Sequence, residues 1–269
     1  MLSQFQELGQ YCKETFDLVV QHPFLFVPRL IFFGASIILM LLVMGTVWLA
    51  APVNGLPMVL GGLAALGMAV AAVLLEAGQL NLQRAVVQGE PVDKETFWEG
   101  IPLYAGRMFG GILLMVLISL LVGVVLIPLA LVPGLNFLVA LLAPLAMLVL
   151  MTLFSLWEAS VALDDTGVLE AFGESYRFAQ SFFWPLLVVT FVRSLFDNNS
   201  SGGQHNNRPG VSFSVGPARF SAPFNMGPSV GAGLVAGMGI VAVIFAILST
   251  LVTVYLDQLL LVIYKQRSL

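Results

Sequence analysis

The chain has 269 residues, 59% of them hydrophobic and 10% charged, with a mean hydropathy of +0.97. A soluble domain carries roughly 25% charged residues, so this chain cannot cover its surface with charge and must take lipid as most of its solvent. The net charge of -4 is small and no basic block points to nucleic acid, while the single cysteine, Cys12, excludes an internal disulfide and a thiolate metal cluster.

Residues 3–21 read as an amphipathic helix. Phe5, Leu8, Cys12, Phe16 and Val19 share one face; Gln6, Gln10, Lys13, Asp17 and Gln21 lie opposite. Its mixed charge sets it apart from a signal peptide, which would be basic and then apolar. His22-Pro23 ends it, because proline disfavours the helical region for the residue before it. The first span is expected at about 24–50, ample for a bilayer core of ~30 Å. Pro52, Asn54 and Gly55 turn the chain into a second span at about 56–76. There Gly61, Ala65 and Ala69 form a row of small residues suited to close helix approach in lipid.

The second span leaves through Glu76, Gln79, Asn81, Gln83 and Arg84. Asp93 then reads as the cap of a second amphipathic segment, because a short side-chain oxygen satisfies a free N–H of the first turn. Phe97, Trp98, Ile101, Tyr104 and Met108 share its apolar face, and Pro102 interrupts it. A third span is expected at about 108–131 with a kink at Pro128. A fourth follows the Pro133-Gly134 turn, at about 137–157, with a kink at Pro144.

The stretch DDTGVLEAFGESYRFAQSFFWPLL, from Asp164 to Leu187, organises the remainder. Asp165 or Thr166 is positioned to cap a helix. Leu169, Phe172, Tyr176, Ala179 and Phe183 step along one side; Glu170, Glu174, Arg177 and Ser181 step along the other. The charges then stop with no turn signal, which reads as a surface helix bending into a span. That fifth span, 182–196, offers only about 22 Å at 1.5 Å per residue, so part of the surface helix dips in or the bilayer thins. A long loop at 197–230 follows, in which VSFSV and ARFSAPF alternate around Gly216-Pro217, a weak hairpin signal. The last span is expected at about 234–257, inside an apolar run that continues to Tyr264. The expected fold is therefore a single all-α integral membrane domain over residues 1–269. It has six transmembrane helices and three cytoplasmic amphipathic elbow helices.

Six spans put both termini on one side. Lys13, Arg29, Arg84, Lys94, Arg107, Arg177, Lys265 and Arg267 fall there; Arg193, Arg208 and Arg219 fall on the other. The positive-inside rule places the termini and elbows in the cytoplasm of a plasma (inner) membrane and the long loop outside. The segments approaching the three odd spans read QHPFLFVPRL, YAGRMFGGIL and QSFFWPLLVV, each with an aromatic cluster. A threefold repeat of elbow, span, turn and return span accounts for them. So does any six-span chain with surface helices, and both readings stay open.

The segments HPFLFVPRLI, FWEGIPLYAGRMFGGILL and WEASVALDDTGVLEAFGESYRFAQSFFWPLL resemble the integral membrane domain of glycerophosphoryl diester phosphodiesterases and neighbouring six-span bacterial and archaeal families of unknown function. The resemblance covers most of the chain and implies an architecture, not a chemistry. The phosphodiesterase activity does not come with it, since no catalytic domain or metal-binding set of carboxylates and histidines is present in the sequence.

Charged residues expected inside or at the edge of spans are the candidate sites. Arg29, Glu76, Glu158 and Asp257 fall near the cytoplasmic ends of their spans. Intramembrane charges are costly, so the four form either a polar vestibule or an interfacial cluster that snorkels to water or pairs with Arg29; the interfacial reading is preferred. Arg193 lies about 16 Å past Phe182. It either contacts an anionic lipid from a buried position, its planar fork suiting phosphate, or reaches the outer interface beside Asp197 if the span starts near Phe178; the second is preferred. Catalytic triads, P-loops and metal or cofactor motifs are absent from the sequence, so no enzyme and no cofactor is expected. The expected function is a non-enzymatic membrane scaffold or lipid-organising component. The alternative is a transporter or channel for an ion or a small polar or lipid substrate. Expected partners are membrane lipids and no nucleic acid, with a second copy or another membrane protein left open.

Overall fold

The computed structural model describes residues 2–49, 56–130, 132, 134–196, 212–215, 218–221 and 228–268. Helix α1 (Leu2–Gln21) ends at His22. A 3-10 turn at Pro23–Phe26 then swings the chain through 89° into α2 (Val27–Leu49). Four helices follow: α3 (Leu56–Gln88), α4 (Lys94–Ala130), α5 (Asn136–Leu153) and the short α6 (Trp157–Leu163). The chain closes with α7 (Val168–Phe196) and α8 (Pro228–Ser268). Between them β1 (Ser212–Val215) and β2 (Ala218–Ser221) pair antiparallel, Phe213 opposite Phe220. Among the described residues five helices are long and apolar enough to cross a bilayer, and six if the bent α1–α2 unit counts as one span. The turns expected at Pro52, Asn54, Gly55 and Pro133 lie outside the described residues, as does most of the 197–230 loop with Asp197.

Several boundaries differ from expectation. α3 continues to Gln88, about 18 Å beyond the span end expected at Glu76. α4 absorbs the second surface segment and continues as helix through Pro102 and Pro128, as α5 continues through Pro144, with no non-helical residue at any of them. One missing N–H leaves the neighbouring turns of a long helix bonded, so these prolines do not end it. The second elbow is therefore not a separate helix, and the three approach segments do not share one geometry: the first bends at a 3-10 turn, the second is continuous helix and the third breaks. The break in α7 falls at Phe182 (φ -131°, ψ 31°), one turn before Pro185. Pro185 has no N–H for the Ser181 carbonyl four residues back, and Gln4 Nε2 donates to that oxygen at 2.9 Å instead. The expected fourth span divides at Phe154–Leu156 into α5 and α6. Buried Ser175 holds both sides of that break: its hydroxyl accepts from Leu156 N at 3.1 Å and donates to Leu153 O at 3.0 Å.

The helix caps and faces also shift. Asp93 does cap α4, accepting from Thr96 N at 2.8 Å, and that bond holds its carboxyl below the usual carboxylate range. Asp165 and Thr166, expected to cap α7, turn elsewhere: Asp165 pairs with Arg107, and Thr166 Oγ1 lies 2.9 Å from Ser160 Oγ. On α1 the inward face is Leu8, Tyr11, Cys12, Thr15, Leu18 and Val19, while Phe5 and Phe16 stand exposed. On α7 it is Ala171, Phe172, Ser175, Ala179 and Phe182; Leu169 and Tyr176, expected on the apolar side, do not pack on the bundle and stand exposed. Ser175 can be inside because both its bonds are made. Glu174, expected on the wet face, instead accepts from Ser160 Oγ and from Tyr264 OH.

Packing is concentrated at one end. The last turns of α3 and α8 and the first turns of α4 and α7 share a core with α6 that includes Ala77, Leu80, Tyr104, Met108, Trp157, Phe172, Phe182, Leu259 and Ile263. Toward the other end Leu113, Leu120 and Val124 of α4 and Phe137 and Leu141 of α5 are exposed. Lipid is as apolar as these side chains, so nothing drives them together. The Gly61–Ala65–Ala69 row is not a contact: a Cβ at Gly61 would meet nothing within 4 Å. The close approach falls lower on α3, where a Cβ at Gly100 of α4 would overlap Asn81 Cβ and lie 2.9 Å from the Ala77 carbonyl oxygen. Gly100→Ala is therefore expected to destabilise by about 1–3 kcal/mol through overpacking. Gly106→Ala, in open space on the same helix, is expected to be neutral or to stabilise by up to about 1 kcal/mol. Thermal unfolding of the two variants in one detergent checks this; equal behaviour would mean the helices do not approach at Gly100.

Candidate functional site

The bundle buries a charge network, and each member arrives by a different element. Arg29 sits in the first turn of α2, set there by the 3-10 turn, whose Leu25 carbonyl accepts from buried Gln79 Nε2 at 2.9 Å. Its Nη2 donates to both Glu76 carboxylate oxygens, at 3.0 and 2.9 Å, and lies 2.7 Å from Asp257 Oδ2. On the other side of Asp257, Arg193 Nη2 lies 2.9 Å from Oδ1; Oδ1 makes no hydrogen bond there, so that contact is an ion pair without hydrogen-bond alignment. Asp257 thus stands between two guanidiniums. It is 4% exposed, against 10% for the Arg29 side chain, 23% for Arg193 and 38% for Glu76. Glu158, in the first turn of α6, is within Coulombic reach of all four.

The structure brings the five sequence candidates together, with Glu76 and Asp257 paired to Arg29 but away from the helix ends. Glu76 lies about 18 Å back from the end of α3 at Gln88, and Asp257 about 16 Å from the end of α8 at Ser268. Neither is at a helix end, and Asp257 is shielded from water. Asp197, the partner of Arg193 in the preferred reading, lies outside the described residues, while Arg193 meets Asp257. The reason is charge. A guanidinium keeps its proton, so a carboxylate one helix away is a better partner than lipid, and the break at Phe182 lets α7 deliver it. The candidate lipid contact therefore has an Nη committed to protein.

The sequence reading took Gln79 and Gln83 for the exit of the second span and missed that they turn inward around the network. Gln79 and Gln83 follow Glu76 on one stripe of α3, and Gln258 follows Asp257; Gln258 Nε2 donates to Gln83 O at 3.3 Å. The spacing 76, 79, 83 was a readable signal of a polar stripe turned inward. A second cluster joins Tyr264 to Asp164 and Glu174, with the Phe178 ring stacked on Tyr264 at 5.5 Å. At the foot of the bundle Arg267 stacks over the Phe182 ring at 4.0 Å and pairs with Glu7 at 2.7 Å. Among the described residues no group of three His, Cys, Asp or Glu side chains is arranged to hold a metal ion. No family model, curated protein or solved structure matches this chain.

Breaking a buried pair strands the surviving charge, which costs roughly 3–5 kcal/mol. Asp257→Ala strands two arginines and is expected to lose at least that much, whereas Glu76→Gln removes a half-exposed partner and is expected to lose clearly less. Thermal unfolding in detergent, with the fraction extracted as folded monomer, measures both. Equal losses would show that Asp257 is not the centre of the network.

Proposed function

We propose that the protein is a non-enzymatic multi-pass component of the plasma membrane that organises lipid, and that α1 is the part that does so. One observation carries this reading. α1 meets α2 at 89° and packs Leu8, Tyr11, Thr15 and Leu18 on the bundle, while Phe5, Phe16 and Val20 stand exposed along its flank beside Gln10, Lys13 and Asp17. A helix in the plane of the interface puts such a flank among acyl chains and its charges among headgroups. The first half of α7 contributes exposed Leu169 and Tyr176 on the same logic. The charge bias of the sequence supports cytoplasmic termini with the 197–230 loop outside. Membrane lipids are the partners in this reading. A second copy or another membrane protein is the remaining class, for which the bare apolar surface of α4 and α5 leaves room.

The competing reading, a transporter or channel, draws on the buried charges. Two grooves bear on it. One, of about 280 Å³, lies between α4 and α5 and is lined by Ser119, Gly123, Leu126, Ala143 and Met147 among others. The other lies at Asn81, Arg84, Asp93 and Glu99. Neither contains any of the five network residues.

Spin labels at Phe16 and at Lys13, each in a Cys12→Ser background in bilayers, test the placement of α1. The label at Phe16 is expected to be relaxed by oxygen and the label at Lys13 by a water-soluble relaxant. Equal water access at both sites would reject the interfacial helix. A bilayer whose acyl-chain order does not respond to increasing protein content would reject the lipid-organising role.

Orientation is tested separately. Ser200→Cys in the same background should label with an impermeant thiol reagent in intact cells, and Lys13→Cys should not. The opposite pattern would invert the topology.

A further inference from the structure

The polar groove between the end of α3 and the start of α4 has no part in the buried charge network. It holds about 380 Å³, within the range of roughly 300–1,000 Å³ of small-molecule sites. The close approach at Gly100 builds its floor: α4 rests on Asn81, whose Nδ2 donates to the Thr96 carbonyl at 2.6 Å. Asn81 is 8% exposed. Its Oδ1 takes no protein donor, yet it is not sealed in, and it opens on the groove that the residue lines. Arg84, one turn further along α3, also lines the groove. Its Nη1 bonds Tyr104 OH at 3.2 Å, its Nε is buried without a partner, and its Nη2 is left open. Arg84 makes no ion pair among the described residues. Glu90, Glu95 and Glu99 line the same groove, exposed and equally unpaired.

We propose that this groove binds the headgroup of a membrane lipid whose phosphate ester carries a primary ammonium, a phosphoethanolamine, with Arg84 on the phosphate and Asn81 and the glutamates on the ammonium. The site rests on the lipid-organising reading and gives that reading a headgroup class.

Charge selects the ligand. A half-buried guanidinium with no carboxylate partner offers a planar fork that suits phosphate oxygens. Three glutamates against one arginine repel a ligand of net negative charge, but they receive the positive end of a zwitterion. Asn81 Oδ1 needs an N–H donor. A primary ammonium has three and a choline group has none. Geometry selects the source of the headgroup. Leu103 lines the groove, and Gly106, next on that side of α4, faces open space. Leu113, Leu117, Leu120 and Val124 continue the stripe, exposed at steps of three or four. The acyl chains of a lipid seated in the groove have this apolar stripe to lie along, and a soluble phosphoethanolamine makes no use of it. Exposed Trp98 stands beside Glu99 at the rim, where an indole suits the headgroup level.

Native mass spectrometry of the full chain in detergent, titrated with phosphatidylethanolamine, phosphatidylcholine and phosphatidylglycerol of identical acyl chains, tests the site. Phosphatidylethanolamine is expected to bind about tenfold more tightly than the other two, the worth of a charge-assisted hydrogen bond. Glu95→Gln with Glu99→Gln is expected to abolish its preference over phosphatidylcholine. Arg84→Ala is expected to weaken phosphatidylethanolamine about tenfold, and Arg84→Lys less. Arg84 also holds Tyr104, so the exposed glutamate pair serves if Arg84→Ala does not fold. A wild type without the preference, or a preference that survives the glutamate substitutions, overturns the proposal. Glycerophosphoethanolamine binding as tightly as the lipid would make the ligand a soluble phosphate ester and overturn the lipid assignment. A trilysine peptide binding more tightly than the lipid would overturn it in favour of a basic protein partner. Acyl-chain order in nanodiscs separates the two levels of failure. An order response without headgroup preference sinks this site alone; with the order response absent too, the lipid-organising role falls with it.

Discussion

The bundle turns on one carboxylate. Asp257 takes Arg29 of α2 on one oxygen and Arg193 of α7 on the other, and Arg29 also grips Glu76 of α3. Neither arginine can escape burial by losing its proton, so each commits its helix to a place beside α8. Both arrive through a departure from regular helix. Arg29 follows the 3-10 turn, whose carbonyl is held by Gln79, and Arg193 follows the break at Phe182. Straight helices through His22 and Phe182 would carry α1 and the first half of α7 away from the bundle. The breaks and the network are in this sense one device, with backbone irregularity supplying the reach that the ion pairs require.

The same dependence explains why the molecule is packed at one end and bare at the other. Apolar side chains gain little by leaving lipid for each other, so Leu113, Leu120 and Val124 of α4 remain exposed however hydrophobic they are. What holds helices together in such a solvent is close backbone approach and polar contact. Both occur in the same half of the molecule. Gly100 lets α4 close on α3, and Gly111 leaves room for the Trp157 ring of α6. Arg84 reaches Tyr104, whose hydroxyl donates to the Ala162 carbonyl, so α3, α4 and α6 are linked by one chain of bonds. Interface area alone would not have located the core; the positions of glycine and of buried polar groups do.

Much of this was legible in the sequence, for a physical reason. Composition fixes the solvent, and apolar runs with turn signals between them mark helices, so the membrane-like all-helical body follows from counting. The bend at His22-Pro23 was legible because proline constrains the residue before it. The inward faces of α1 and α7 were not, because an amphipathic helix on a protein in lipid meets three media. Phe5 and Phe16 face lipid as readily as core, and Ser175 is buried because both its bonds are met by the ends of α5 and α6. Pro102 misled for the opposite reason: it sits within a long helix whose remaining bonds carry it on without interruption. The five charged candidates were visible as residues, but their convergence was not. Arg193 and Asp257 are far apart in the chain and were assigned opposite ends of their spans, and only the extra turns of α3 and α8 beyond the expected exits place them at one level.

Those extra turns raise the question of what the polar interior contributes. Replacing an ion network by well-packed apolar residues is often neutral or stabilising, so stability is a weak reason for keeping one. Register is a stronger one. α3 presents Gly, Ala, Leu and Val on nearly every side of its apolar half, and such a helix can rotate or slide in lipid at little cost. Below that half, the Glu76 and Gln79 side chains meet Arg29 and the Leu25 carbonyl, and the Gln83 backbone carbonyl accepts from Gln258. A rotation of α3 would unmake all three contacts at once, each in a setting where water cannot replace it. The apolar half of each helix therefore sets only that it crosses the membrane. The polar half sets which way it faces and how far it rises.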